Sequence, residues 1–573
     1  MRYRPSLRLA CDMVVLSLLA MAYLYCSVKL NNFLTRSWDT GLLRTFDFGW
    51  SLVPVIAAYG FLRIFSGPIS SGLALGCALF GVSYANFMKY GLTTQPIAWN
   101  DVWNTANLSI INGYFSHAQI VALCVVLVLC VFLAFLLDHK MGALSYSRGR
   151  TASACLAVAA TLTLSIIPVA AHGFSKSISE VLDRAGLPYI AHDWAQNISL
   201  NGLSVHLVQT STRFMPPRAS RDEITKFQKL AASAAPTRTK HLPTVVAILC
   251  EACWTDGSHF AEAFSPLMRL GFTDIRGVSP VYGGGTVNAS YEMITGLPSH
   301  SKALTGMIYQ EYSAVIDPNA YTIPGQLRKK GYRTIAMHNH NRRFWRRDIV
   351  NPKFGFDKFY GIEDMKNVSK TGWWADDGIL FANALEQLVR HKDEEVFLHL
   401  ATVNTHGSYK GAGTDGVEDY RARLTRTIAQ IADFASAVLK SDPDAMILIY
   451  ADHKPQLTHW FAENDVLPKS VFTHIGDHPM DVVFSPSASK DLIGDVPVYV
   501  FGGEANAKDR FALLAEGKPF YCISGYFATE MLKIATPAHS YGRRACDRYR
   551  EGDYDASVAT FPDWLVSLSI LGY

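Results

Sequence analysis

Five long apolar stretches lie within the first 171 residues of this 573-residue chain. The clearest is Ile120–Leu137, which runs for 18 residues without a charged side chain, and a helix needs about 20 apolar residues to cross a bilayer. The other four are Leu9–Val28, Phe48–Phe65, Leu73–Phe87 and Ala152–Ala171. One such stretch could be a core helix of a soluble domain, but five in succession predict a bundle of five transmembrane helices in residues 1–171.

The Lys and Arg residues around these stretches orient the predicted bundle. Seven of them fall on one side, namely Arg2, Arg4, Arg8, Arg63, Lys140, Arg148 and Arg150. Four fall on the other, namely Lys29, Arg36, Arg44 and Lys89. Because cytoplasmic loops carry the excess of positive charge, the N-terminus is predicted to be cytoplasmic. Five spans then place the chain after residue 172 outside the cytoplasmic membrane, in a periplasmic or other extracytoplasmic space.

The sequence changes character twice after the last apolar stretch. Residues 172–241 contain the break Met215-Pro-Pro217 and are predicted to be a linker with short helices such as Arg221–Ala232. Residues 242–573 alternate short apolar runs with helical patterns such as Ile323–Lys330 and Tyr420–Lys440. The apolar runs are Val245–Leu249, Thr334–Met337, Val396–Leu400, Met446–Tyr450 and Val498–Phe501. This alternation is typical of βαβ units, so an exported α/β domain with a largely parallel sheet is predicted.

The net charge and the cysteines indicate which partners the protein can bind and which compartment its exported part occupies. The formal net charge is only +4, and the chain has neither a basic helix nor zinc-finger spacing, so nucleic acid is not an expected partner. Six cysteines lie in the apolar stretches, and four lie in the exported part. An oxidising compartment permits disulfides, and we predict that Cys522 pairs with Cys546. Cys250 and Cys253 are spaced like a redox pair, but no thioredoxin-like pattern surrounds them.

Polar residues directly follow two of the predicted strands. Glu251 comes after the run that begins at Val245, and Asp452 and His453 come after the run that begins at Met446. In an open α/β sheet, ligands bind beyond the carboxyl ends of the strands. Two carboxylates, one imidazole and the Thr286 hydroxyl are ligands that suit Mn²⁺, Mg²⁺ or Zn²⁺. The sequence therefore predicts a divalent-metal site that activates Thr286 as a nucleophile.

Three glycines, Gly283–Gly285, precede Thr286. They let the backbone approach a ligand or adopt positive φ, and a helix starting near Asn288 would place phosphate oxygens at its N-terminus. The same residues also fit a plain turn, with Thr286 as the N-cap of the helix. From this segment alone, both interpretations stay open.

The order of motifs in the exported part resembles that of the lipoteichoic acid synthase-like phosphoglycerol transferases of the alkaline phosphatase/sulfatase superfamily. The motifs are Glu251 at a strand end, Gly283-Gly-Gly-Thr286, His338-Asn-His-Asn-Arg-Arg-Phe-Trp345-Arg-Arg347, Asn404-Thr-His406-Gly and Tyr450-Ala-Asp452-His453. The resemblance covers residues 242–500 and also agrees with the five predicted spans. Ala451 stands where the family often has Gly, and the segment after Gly502 has no match.

The resemblance implies a role for each matching residue. Thr286 would attack a lipid phosphate and carry phosphoglycerol covalently, and a divalent cation, typically Mn²⁺ in this family, would be held by Glu251, Thr286, Asp452 and His453. The residues that match the family's glycerol-phosphate site are His338, Trp345, Arg347 and His406. His406 would also protonate the leaving group or orient the acceptor. Asp376 and Asp377 resemble an acidic pair near the family's site, and we expect them to shape a loop rather than bind metal.

The implied reaction takes phosphoglycerol from a membrane phospholipid, phosphatidylglycerol, to a glycan or glycolipid of the cell envelope. A phosphoethanolamine transferase shares the topology and the Thr nucleophile, although such enzymes usually carry several disulfides in the exported domain. A sulfatase would need a Cys/Ser-x-Pro-x-Arg motif, which does not precede a suitable helix here. A non-enzymatic envelope-assembly protein with a decayed site is the third alternative, but all four metal-ligand positions are filled.

Overall fold

The computed structural model describes residues 10–23, 48–93, 96–99, 117–140, 147–166, 187, 189, 194–211, 219–234, 243–301, 303–304, 306–368, 370–371, 374–407, 409, 416–474, 482–485 and 488–571. The chain divides into two compact units, Met1–Met215 and Pro216–Tyr573. The basic residues before residue 10 and between residues 29 and 44, and about half of the predicted linker, lie outside the described residues.

The first unit is helical wherever it forms regular structure in the described part. Its helices are Ala10–Tyr23, Phe48–Phe65, Pro68–Thr93, His117–Lys140, Ser147–Ile166, Trp194–Asn201 and Leu203–Ser211. Each of the five predicted apolar stretches overlaps one of the first five. Among the described residues, the segment Pro68–Asn86 is the one long and apolar enough to cross a membrane by length and composition, and two apolar helices are shorter. The five-span bundle and its orientation therefore stay predictions.

A buried ion pair joins three helices of the first unit. Arg63 donates through Nε to Oδ1 of Asp12 at 2.7 Å, and both side chains are buried. Thr151 and Tyr59 donate to the same carboxylate, each at 2.8 Å. The two charges that interrupt the apolar stretches near their ends are therefore paired, which offsets the cost of burying them.

The second unit is built around an eight-stranded sheet. Its strands and those of two small hairpins are, in chain order, β1 (Val245–Cys250), β2 (Thr273–Val278), β3 (Arg333–His338), β4 (Lys358–Tyr360), β5 (Lys370–Thr371), β6 (Trp374–Ala375), β7 (Val396–Ala401), β8 (Met446–Ala451), β9 (Phe472–His474), β10 (Val482–Phe484), β11 (Asp495–Phe501) and β12 (Lys518–Pro519). The sheet order is β12-β2-β11-β8-β1-β7-β3-β4. Strands β1, β7 and β8 are buried throughout, as expected of parallel strands covered on both faces.

One strand runs against the others. Strand β11 pairs antiparallel with both β8 and β2, whereas β1, β3, β4, β7 and β8 pair in parallel. The α/β class is confirmed, and the sheet is mixed rather than wholly parallel. Both edges are short, with two residues in β12 and three in β4.

Helices precede, connect and follow these strands. The predicted helices are present at Ile323–Lys330 and, slightly longer, at Val417–Ser441, and Arg221–Ser233 also belongs to this unit. The other α-helices are Ser265–Arg269, Thr286–Thr295, Ile308–Tyr312, Arg347–Lys353, Asp377–Arg390, Thr458–Glu463, Lys490–Gly494, Ala505–Ala515, Phe520–Tyr526, Pro537–Arg548, Tyr554–Val558 and Asp563–Val566. Short 3₁₀ helices are Ala261–Phe264, Phe344–Arg346, Ile362–Asp364 and Lys469–Val471, and π-helical turns are Phe527–Met531 and Ser567–Leu571.

Candidate active site

Four neighbouring parallel strands end at the same edge of the sheet. These strands are β8, β1, β7 and β3, in that order across the sheet. Asp452 directly follows β8, Glu251 follows β1, Thr402 follows β7, and His338 is the last residue of β3. The register pairs Cys250 with Ala451 and Leu249 with Ala401, so the residues just beyond these strands emerge at about the same level. This alignment brings together residues that are far apart in sequence.

Glu251, Asp452 and His453 form a buried cluster. One ligand atom from each of them lies within 4.8 Å of the other two. His453 Nε2 is 3.4 Å from Oε1 of Glu251 and 3.2 Å from Oδ2 of Asp452. All three atoms are buried and lack an aligned hydrogen bond among the described residues. Since unpartnered buried polar atoms are costly, this convergence fits the residues to a divalent cation with oxygen and nitrogen ligands.

Thr286 is the first residue of the helix Thr286–Thr295 and faces this cluster. Its hydroxyl donates to Oε2 of Glu251 at 3.0 Å. The N-cap position belongs to Gly285, whose φ of 82° is readily adopted by glycine. Thr286 is therefore not an N-cap, which was one of the two interpretations of this segment, and its oxygen is directed at the carboxylates.

The pKa values of Glu251, Asp452 and His453 are shifted by burial and by the charges of their neighbours. Burial raises the pKa of Glu251, but the positive charges of His406 and His453 outweigh burial and lower it to about 2. Burial and repulsion from Glu251 raise the pKa of Asp452 to about 7. Burial lowers the pKa of His453, but Asp452 and Glu251 outweigh it and raise the value to about 9. A cation would have to displace protons from such a cluster, because metal ligands bind deprotonated.

The turn that carries Glu251 is closed by a disulfide between Cys250 and Cys253. Ala252, inside this turn, has a φ of 48° and donates its N–H to Oδ1 of Asp452 at 2.7 Å. The sequence offered only the Cys-x-x-Cys spacing as a signal for this bond. The predicted disulfide between Cys522 and Cys546 is also present, in the C-terminal helices.

His338 and Arg347, predicted to bind phosphate, are both buried. The Nδ1 of His338 donates to the carbonyl of Ala401 at 2.9 Å, which leaves Nε2 as the acceptor. Burial and the nearby Arg347 hold the pKa of His338 well below its ordinary value. Arg347 is 5% exposed, and its Nη1 has no hydrogen-bond partner among the described residues.

Arg347 interacts electrostatically with the carboxylates of the cluster. Burial lowers the pKa of Arg347, against the effects of Tyr309, Glu251 and Asp452. A buried guanidinium with an unpartnered N–H is suited to bidentate binding of an anion such as a phosphate.

Trp345 lies two residues before Arg347, and its ring packs on that of Phe344 with ring centres 5.3 Å apart. Trp345 has a φ of 57°, and Arg346, the next residue, also has a positive φ.

His406 lies on the loop after β7, and its Nδ1 is 2.7 Å from the carbonyl of Gly407. The ring of Trp374, on strand β6, lies 4.4 Å from that of His406 at a tilt of 42°. Trp374 also packs edge-on against His340, 5.3 Å away. Trp374 is not among the residues predicted to take part in the site.

The acidic pair Asp376 and Asp377 supports the surrounding loops. Asp376 caps the helix Asp377–Arg390 by accepting from Gly378, and it also accepts from Arg426 and Gln430. Asp377 is fully buried and accepts from the backbone of Val403 and from the side chains of Asn339 and Thr427. These bonds agree with the expectation that the pair shapes a loop and lies outside the cation cluster.

Comparisons with known proteins agree with the motif order. Residues 243–479 match the sulfatase family. The chain is 26% identical over 273 residues to the "Putative cyclic beta-1,2-glucan modification protein" of Rhizobium meliloti, covering 45% of this chain and 40% of that protein. It is 26% identical over 190 residues to the lipoteichoic acid synthase of Staphylococcus saprophyticus, covering 30% and 28%. The matches thus span less than half the length of these relatives.

Two solved structures are similar to parts of this chain at low sequence identity. The Streptococcus pyogenes phosphoglycerol transferase GacH, in complex with sn-glycerol-1-phosphate, is 16% identical with a TM-score of 0.44, over 62% of this chain and 95% of that one. The lipoteichoic acid synthase LtaP from Listeria monocytogenes is also 16% identical, with a TM-score of 0.38, over 55% and 81%. The family match and the curated relatives together show that residues 243–479 carry a sulfatase-family domain that is similar to lipoteichoic acid synthases.

Proposed function

We propose that this protein transfers phosphoglycerol from phosphatidylglycerol to a glycan or glycolipid of the cell envelope. The observation that carries the proposal is the Thr286 hydroxyl, which donates to Glu251 inside the buried cluster of Glu251, Asp452 and His453. A hydroxyl is a weak nucleophile until a neighbouring base or metal activates it. A related lipoteichoic acid synthase and a cyclic-glucan modification protein among the relatives support an envelope polymer as the acceptor.

Glu251, Thr286, Asp452 and His453 would hold a divalent cation, for which we propose Mn²⁺, with Mg²⁺ and Zn²⁺ as alternatives. When bound, the cation would lower the pKa of the Thr286 hydroxyl and offset the negative charge of the phosphoryl oxygens. The chain itself provides the nucleophile, places it at a helix start, and keeps the cluster buried.

The remaining site residues would bind and orient the lipid phosphate. Arg347 has a buried, unpartnered N–H suited to a phosphoryl oxygen. His338 offers a neutral acceptor nitrogen to a glycerol hydroxyl, and Trp345 would line the same site. His406, whose Nδ1 is held by Gly407, would use its other nitrogen to protonate the departing diacylglycerol oxygen.

In this scheme the reaction has two displacements. Thr286 attacks the phosphorus of phosphatidylglycerol, the bond to the diacylglycerol oxygen breaks, and that oxygen leaves with a proton. Phosphoglycerol then remains on Thr286 until a glycan hydroxyl attacks the same phosphorus and regenerates the threonine. Since the donor would be a phospholipid, we propose that the protein is integral to the cell membrane with its second unit outside the cytoplasm.

The test is to trap the covalent species. Wild-type protein in detergent is incubated with labelled phosphatidylglycerol and Mn²⁺, denatured with acid and mapped by peptide mass spectrometry. We expect glycerol phosphate on the peptide containing Thr286, and Thr286→Ala should lose both the adduct and turnover. Thr286→Ser, which keeps a hydroxyl, is the matched control and should retain the adduct. Turnover without an adduct would contradict the covalent step. In a parallel incubation with labelled phosphatidylethanolamine, an ethanolamine phosphate adduct would favour the phosphoethanolamine alternative.

A further inference from the structure

The Cys250–Cys253 disulfide encloses the turn that carries Glu251. It joins residues three apart in the sequence, and both cysteines are 1% exposed. Glu251 and Ala252 are the two residues inside the ring that it closes. A covalent ring this small restricts the local backbone far more than it restricts the rest of the chain.

That backbone makes contacts that the cluster needs. The N–H of Glu251 donates to Thr402 Oγ1 at 2.9 Å, and its carbonyl accepts from the Thr405 hydroxyl. The N–H of Ala252 donates to Asp452 Oδ1 at 2.7 Å, and its carbonyl accepts from the Tyr420 hydroxyl at 2.9 Å. The turn therefore presents the Glu251 carboxylate and, at the next residue, orients Asp452.

Ala252 holds this position in an unfavourable conformation. Its φ of 48° lies in the left-handed region, which a residue with a Cβ adopts only when the surrounding structure enforces it. A cross-link between the residues on either side of Glu251 and Ala252 is a direct way to enforce it. Without the bond, the turn is free to relax and withdraw its N–H from Asp452.

Global stability is a weak explanation for this disulfide. The entropy that a cross-link removes from the unfolded chain grows with the length of the loop it closes. Cys250 and Cys253 are three residues apart, whereas Cys522 and Cys546 are 24 apart. The shorter loop gains less from this effect, so its role is better sought in the local geometry.

We propose that the Cys250–Cys253 disulfide is a positioning element for cation binding, and that its reduction weakens the site. Reduction by a dithiol would break the S–S bond, add two electrons and two protons to give two Cys thiols, and convert the dithiol to its own disulfide. The open turn then holds Glu251 and Asp452 less firmly. This inference rests on the proposed cation site but not on the identity of the donor or the acceptor.

The second disulfide offers a matched control. The full-length chain is purified in detergent as the wild type, as Cys250→Ala/Cys253→Ala and as Cys522→Ala/Cys546→Ala. Calorimetric titration with Mn²⁺ gives the dissociation constant, and thermal unfolding without metal gives Tm. We expect the first variant to bind Mn²⁺ at least tenfold more weakly, and the second to keep the wild-type constant within twofold while losing more Tm.

An unchanged dissociation constant in Cys250→Ala/Cys253→Ala would overturn the inference, and so would an equal loss of affinity in both variants. A second measurement uses only wild-type protein, so it does not depend on the variants folding. Protein treated with dithiothreitol is alkylated, and the modified cysteines are mapped by mass spectrometry. Because binding and opening are linked, Mn²⁺ should slow alkylation of Cys250 and Cys253 but not of Cys522 and Cys546; equal rates with and without Mn²⁺ would also overturn it.

Neither measurement requires phosphoglycerol transfer. Unchanged Mn²⁺ affinity together with an intact Thr286 adduct would remove the positioning role and leave the proposed function in place. Weakened Mn²⁺ affinity in Cys250→Ala/Cys253→Ala, together with no adduct in the wild type, would support the positioning role and contradict the proposed function.

Discussion

The two carboxylate oxygens of Asp452 have different environments in the cluster. Oδ1 accepts from the backbone of Ala252, whereas Oδ2 is buried without an aligned partner beside His453. One oxygen thus secures the turn, and the other is available to a cation. This division makes Asp452 the residue at which cation binding can be separated from folding.

Asp452→Asn should remove cation binding and preserve the fold. The amide oxygen can still accept from Ala252, but the negative charge is lost. Because removing even a hydrogen-bond partner of a metal ligand costs about 10- to 100-fold in metal affinity, we expect the Mn²⁺ dissociation constant to rise by about 100-fold. Calorimetry measures the affinity, and circular dichroism checks the fold. Asp376→Asn is the control, because Asp376 binds Gly378, Arg426 and Gln430 outside the cluster. Full occupancy and activity in Asp452→Asn would remove this residue from the site.

Glu292 is a buried carboxyl on the helix that begins with Thr286. Its Oε1 accepts from the backbone and the hydroxyl of Ser299, and burial raises its pKa to about 8 from an ordinary 4.5, despite these bonds. The folded state therefore holds this proton at pH values where the unfolded state has lost it. The stabilisation is complete below about pH 4.5 and is lost as the pH rises towards 8.

Glu292→Gln should flatten the pH dependence of stability across this window. From the shift of the pKa, the wild type loses up to about 5 kcal/mol between pH 4.5 and 8 through this group, and the amide does not titrate. The measurement is urea denaturation at several pH values between 5 and 8, with Glu418→Gln at an exposed site as the control. A slope equal to that of the wild type would show that Glu292 is ionised in the fold.

At the scale of elements, the sequence predicted the strands that hold the site better than the strands that border it. β1 and β8 are continuous apolar runs, and β3 and β7 are mostly apolar, because buried parallel strands need apolar residues on both faces. All four begin and end within one residue of their predicted bounds. β2 reads Thr-Asp-Ile-Arg-Gly-Val and β12 has two residues, so neither has a periodic signal. The antiparallel direction of β11 depends on its partners, which its own residues do not reveal.

The site residues show the same limit. Glu251, Asp452 and His453 are recognisable because they directly follow strong strands, and the structure brings ligand atoms of all three within 4.8 Å of one another. The contact between Trp374 and His406 joins residues 32 apart in the sequence, and no local pattern indicates it. The Cys250–Cys253 bond had only the Cys-x-x-Cys spacing as a signal. Motif order from the family resemblance, rather than periodicity, pointed to His338, Arg347 and His406, whose roles remain proposals.

The hairpin of β5 and β6 presents Trp374 to His406, and we predict that it orients this imidazole. Trp374→Leu should remove the ring contact and lower kcat about tenfold with little change in the KM for phosphatidylglycerol, since positioning losses act on the chemical step. Trp374→Phe keeps an aromatic ring and should recover most of the rate. Steady-state kinetics of diacylglycerol release separates kcat from KM. A rise in KM alone would assign Trp374 to donor binding instead.

At the scale of the whole molecule, the second unit is proposed to work outside the cytoplasm. The prediction rests on five apolar stretches and on the distribution of Lys and Arg between their flanking loops. Two reporters are fused in turn after Tyr573. One that works only in the exported compartment should be active there, and one that works only in the cytoplasm should be silent. Fusion after Lys140, on the predicted cytoplasmic side, is the internal control. The reverse pattern would contradict the topology and with it the access of Thr286 to the proposed lipid donor.

The short strands at the two edges of the central sheet affect how copies of this protein behave beside one another. A sheet edge exposes unpaired N–H and C=O groups that can recruit a strand from another chain. Here one edge strand has three residues, and the other has two, of which Pro519 has no N–H to offer. Such short edges present little backbone on which a neighbouring copy could extend the sheet, so we expect copies of this domain to resist edge-to-edge aggregation even at high local concentration.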